Sequence, residues 1–77
     1  MQPPDAIDEP LAEQILPQLG YRLQARRAGL YYYRDTANAR PLVFDFLLGS
    51  IPLADFVRAL ETEGVNLDTF YAILEAI

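Results

Sequence analysis

Residues 21–35 read YRLQARRAGLYYYRD, and how this stretch is read decides the fold. In its first arm Tyr21, Leu23 and Ala25 alternate with Arg22, Gln24 and Arg26. A period of two marks a strand with one dry and one wet face. The "RRAG" that follows predicts a turn of about four residues, with Gly29 where a positive φ is needed. The second arm, LYYYR, has high strand propensity: Leu30, Tyr32 and Arg34 point one way, and Tyr31, Tyr33 and Asp35 the other. Residues 21–35 are therefore expected to form a β-hairpin. Three consecutive tyrosines cannot share one face of it. Either Tyr32 or the Tyr31/Tyr33 pair looks away from the core, a position tyrosine tolerates because its hydroxyl can stay wet.

Upstream, prolines at 3 and 4 predict a flexible tail over residues 1–7. Asp8 precedes EPLAEQIL, where Pro10 suits a first helical turn and the early acids suit the positive end of the helix dipole. Pro17 interrupts the face begun by Leu11 and Ile15, which predicts a short helix over about residues 9–16.

Downstream, DTANAR reads as a polar connection. PLVFDFLLG fits two periods. Leu42, Phe44, Phe46 and Leu48 alternate as in a third strand, while Val43, Phe44, Leu47 and Leu48 fit a helical face. Leucine enrichment and the position of the acid tip the reading of residues 41–48 toward helix.

The last third is periodic throughout. Leu53, Phe56, Val57 and Leu60 form one apolar stripe, predicting a helix over about residues 52–63 capped by Ser50 or the adjacent turn. Asn66 is an N-cap candidate for a second helix with Leu67, Phe70, Leu74 and Ile77 as its stripe. The expectation is a single small α+β domain over residues 8–77: a short N-terminal helix, a central hairpin, and two or three C-terminal helices ending in a tight αα-hairpin. Leu53, Phe56, Leu60, Phe70 and Leu74 are its expected core.

Composition narrows the chemistry. The 77 residues contain no cysteine, histidine or lysine, which removes disulfides, thiolate and imidazole metal ligands, and Schiff-base chemistry. Ser50 has no histidine or lysine to activate it. The acids Asp8, Glu9, Asp55, Glu61 and Glu63 are carboxylate candidates by type alone, and Glu61 and Glu63 do not face each other on a helix. No calcium loop or phosphate-binding glycine loop is present, and glycines 20, 29, 49 and 64 stand singly. The expectation is a protein that is not an enzyme, with no cofactor and no metal. No apolar run is long enough for a membrane helix, and MQPPDAIDEP lacks the features of a secretory signal, so a cytoplasmic protein is expected.

Charge is partitioned along the chain. Residues 1–21 carry four acids and no base, residues 22–40 carry five arginines against Asp35, and residues 41–77 carry six acids against Arg58. A helix-turn-helix reading of the C-terminal unit fails on this count. Its second helix would present Asp68, Thr69 and Glu75 with no base, a surface that phosphates repel. The basic hairpin remains. Tyrosine and arginine together favour interface hot spots, so Arg22, Arg26, Arg27, Tyr31, Tyr33 and Arg34 are the expected contact residues. The function this suggests is an adaptor or regulatory subunit that binds a protein with an acidic patch, or a copy of itself. Binding of single-stranded RNA or DNA by the same hairpin is the alternative.

Overall fold

The computed structural model describes residues 4–35 and 41–77. The expected polar connection, with Arg40, falls on residues 36–40 and lies outside them, as do residues 1–3 of the expected tail. The elements run β1 (Ala6–Ile7), α1 (Glu9–Ile15), a 3-10 turn (Leu16–Leu19), β2 (Tyr21–Arg27), β3 (Leu30–Asp35), β4 (Pro41–Asp45), β5 (Ile51–Pro52), α2 (Leu53–Thr62) and α3 (Leu67–Ala76). The architecture is α+β, with the hairpin at its centre and the αα unit at its end.

The short helix forms for the reasons its sequence supplies. The Asp8 carboxylate accepts from the Leu11 amide at 3.0 Å, satisfying one of the free donors of the first turn. Ahead of Pro17 the α-helix gives way to the tighter turn, which Gly20 closes at φ +92°. Asn66 caps α3 by accepting from the Asp68 and Thr69 amides at 2.9 and 3.3 Å.

β2, β3 and β4 form an antiparallel meander with β3 in the middle. The hairpin turn is two residues, Ala28 and Gly29, both at positive φ (+51° and +82°). This is the pattern of a type I′ turn, whose twist matches that of the flanking strands. A Cβ built on Gly29 would lie 3.0 Å from the Leu47 side chain, which would have to give way slightly, so it is the positive φ that chiefly favours glycine there.

Three expectations need correction. Residues 41–45 are strand, and the helical preference for residues 41–48 is overturned: Leu42 and Phe44 point into the core and alternate with exposed Val43 and Asp45. Pairing with β3 offers this segment a hydrogen-bonded partner and a buried face, and that tertiary gain outweighs leucine's helical preference. The tail ends before residue 7. Ile7 is fully buried, and β1 pairs with β5 through Ala6–Pro52 and Ile7–Ile51. Ser50 does not cap α2. Pro52 stands at the N-cap without a side-chain bond, and the Leu53 amide donates to the Asp5 carbonyl at 2.8 Å.

The core is a chain of rings from sheet to helices. Tyr33 meets Phe44 at 6.0 Å between centroids, Phe44 stacks on Phe56 of α2 at 4.6 Å and 14°, and Phe56 meets Phe70 of α3 at 5.8 Å. Phe56, Leu60, Phe70 and Leu74 are buried as expected, with Leu53 packed at the margin. Phe56 joins the rings of the sheet to that of α3, so Phe56→Ala is expected to cost about 3–5 kcal/mol. Denaturant titration followed by circular dichroism would read that loss, and stability near wild type would contradict the packing. Ala28→Asn replaces a residue strained at positive φ with one that tolerates it. It should stabilise by up to about 1 kcal/mol, raising the melting temperature by several degrees.

Candidate functional site

Directly opposed residues of an antiparallel pair share a face, so the register sorts the hairpin side chains. Tyr33, opposite Leu23 and Leu42, belongs to the dry face. Tyr32, opposite Ala25 and Val43, belongs to the other, together with Leu30, Arg34 and Arg22. Between Leu23 and Ala25 the register slips by one residue, leaving Gln24 as a bulge. A bulge inverts the alternation beyond it. Arg26 therefore falls opposite Tyr31 on the helix side, and Arg27 falls on the outer side opposite Leu30.

The consequence for Arg26 is visible in its contacts. Its guanidinium lies 2.7 Å from Glu13 and 3.7 Å from Glu9 of α1, and sits over the Tyr31 ring at 5.2 Å. Tyr31 is partly buried and packs edge-on against Phe46 at 5.2 Å, and the Glu9 carboxylate beside its hydroxyl raises its pKa above the ordinary value. Arg26 and Tyr31 together tie the sheet to α1. Half of this cluster is open to solvent, so its worth is orientation more than energy.

Tyr33 is 2% exposed and cannot act as a contact residue, which corrects its expected role. Its hydroxyl has no hydrogen-bond partner among the described residues, and burial pushes its pKa up to about 12. Of the six expected contact residues, Arg22, Arg27 and Arg34 remain on the open face. Tyr32 joins them, partly exposed among three arginines, with Val43 beside it at 47% exposure. Unlike Arg26, these three arginines have no acidic partner among the described residues. Asp45 lies on the same face, at the Leu30 end of β4.

Tyr32 was legible in one respect: the face it shares with charged Arg34 is the one that stays wet. Nothing in the sequence marked the bulge at Gln24, because the apolar–polar alternation runs through it unbroken.

Among the described residues, no group of three or more acids gathers where a metal could be held, and no helix is long and apolar enough to cross a membrane. Compared with known proteins, the chain matches no family model, no curated protein and no solved structure.

The two raised tyrosines set an alkaline limit. Below pH 10 both are protonated in the folded and unfolded chain alike, and stability is indifferent to them. From pH 10 toward about 12 the unfolded chain releases the Tyr33 proton while the folded chain retains it, so stability falls. Tyr31 acts in the same direction. Tyr33→Phe should remove most of this loss. It should also raise stability at neutral pH by about 1 kcal/mol, because the buried hydroxyl it deletes is unpaired. Denaturation midpoints of both proteins at pH 7 and across the alkaline window would check this.

Proposed function

We propose that the chain is a non-catalytic protein-interaction module, an adaptor or regulatory subunit, that docks the outer face of its sheet on an acidic patch of a protein partner. The observation that carries this reading is the contrast among the arginines. Arg26 is neutralised within the fold, whereas Arg22, Arg27 and Arg34 converge on an open face around Tyr32 without acids of their own among the described residues. Arginine and tyrosine on a rigid sheet lose little side-chain freedom on contact and combine wide apolar area with directed hydrogen bonds. In a chain of net charge −5 such a face attracts a complementary patch at short range, where its own positive charge dominates the rest.

A second reading draws on the position of Tyr32. An aromatic ring on a sheet surface between arginines can stack on an unpaired base while the guanidiniums hold phosphates. The same experiment addresses both readings. Amide chemical shifts of isotope-labelled protein would be followed during titration with an acidic peptide and, separately, with a mixed-sequence single-stranded RNA and its DNA equivalent. Shifts confined to β2, β3 and β4 with the peptide are expected. Reversing Arg22, Arg27 and Arg34 to glutamate should abolish them while leaving the circular dichroism spectrum unchanged. Saturable, salt-sensitive binding of the oligonucleotides in place of the peptide would move the function to nucleic acid. Absence of both, or binding that survives the reversal, would remove this face from consideration.

A further inference from the structure

The two edges of the three-stranded sheet are built differently. β2 carries the Gln24 bulge and a row of arginines, both devices that prevent strand addition. β4 is regular along its whole length. The Phe46 amide donates to the Gly29 carbonyl at 3.1 Å, so Gly29–Phe46 is a hydrogen-bonded pair. With alternation, Tyr31–Phe44 and Tyr33–Leu42 are also bonded pairs, whereas Leu30–Asp45, Tyr32–Val43 and Arg34–Pro41 are not. The backbone N–H and C=O groups of Val43 and Asp45 therefore point away from β3, off the open edge. Neither residue's backbone makes any other hydrogen bond among the described residues. Apolar surface borders this edge. Val43 is 47% exposed, and Leu47 and Leu48 stand at the tip of the following turn at 70% and 97%, where polar residues are the rule. On the helix side, clefts of about 430 and 350 Å³ adjoin one another between β4 and α2, sharing Val43, Asp55 and Ala59. A neighbouring strand has room to lie there.

We infer that β4 pairs with β4 of a second copy of this chain, antiparallel about a two-fold axis at Val43, to make one six-stranded sheet. The edge is self-complementary in this register. Each Val43 donates to and accepts from the other, and each Asp45 amide donates to the carbonyl of the opposite Pro41. The amide that proline lacks falls at the ends of the paired segment. Leu42 and Phe44 continue the dry face across the junction. On the open face the register sets Asp45 of one copy beside Pro41 of the other. It is then two strand spacings, about 10 Å between backbones, from Arg34, within reach of an extended arginine. Charge thus favours this register over one shifted by a residue about Phe44, which brings the two Asp45 carboxylates toward each other. Because β2 is blunted on the far side, growth stops at two copies.

Sedimentation equilibrium of the full chain, from about 1 to about 200 µM, tests the pairing. A monomer–dimer equilibrium is expected. Val43→Pro deletes an amide that the single copy does not use and should leave only monomer. Val43→Lys disrupts the junction without touching the backbone, should raise the dissociation constant at least about tenfold, and covers the case in which the proline variant fails to fold. Asp45→Asn keeps the acceptor that holds the Leu47 amide and removes the charge. It should weaken the dimer, as should Arg34→Gln, and the two together should be no weaker than either alone. Monomer at every concentration, a dimer indifferent to both Val43 variants, or open-ended growth would each overturn the assignment.

Discussion

Phe44 of the sheet lies flat against Phe56 of α2, with centroids 4.6 Å apart, and this contact fixes which side of the meander is dry. In a strand the choice is binary, because one residue's orientation dictates that of every other in the ladder. Once Phe44 faces the helices, Tyr33 and Leu42 must follow, while Tyr32, Val43 and Arg34 must face outward. The open arginine face is thus as much a product of aromatic packing as the core is. Phe70 completes the arrangement by backing Phe56 from α3, so the αα unit and the sheet share one stack of rings.

Electrostatics works on the frame that this packing sets. The acids at the start of the chain and the arginines of the hairpin are not simply two opposed blocks. Among the described residues, Glu9 and Glu13, one turn apart on α1, take up Arg26 and no other arginine. They can do so because the bulge at Gln24 turns that side chain toward them. The same irregularity keeps Arg27 outside. Alternation alone would split these two adjacent arginines between the faces; the one extra residue decides which of them has the internal role and which the external one.

Local signals carried the hairpin, the Asp8 and Asn66 caps, the stop at Pro17 and the stripe of α2, since each depends on residues within a few positions of one another. Long-range effects were not legible. PLVFDFLLG fits both periods and leans toward helix by its leucines until β3 is available to pair with it. Pro3 and Pro4 suggest looseness, yet Ile7 is buried by a partner far along the chain. The candidate site failed in the same way. Its arginines are recognisable by composition, but their sorting depends on a register slip with no mark in the sequence, and composition points to Tyr33 as a contact although packing beside Phe44 draws it inside.

The pairing of β1 with β5, and the bond from the Leu53 amide to the Asp5 carbonyl, join the two ends of a loop that contains most of the chain. Closing so long a loop costs chain entropy that only an assembled interior can offset. The hairpin and the αα unit close over short distances, whereas the β1–β5 clasp and the packing of α1 against α3 both need residues far apart in the chain. During synthesis Ile7 stays in water until Ile51 has left the ribosome. Burial of Ile7 therefore waits on a segment made well after it.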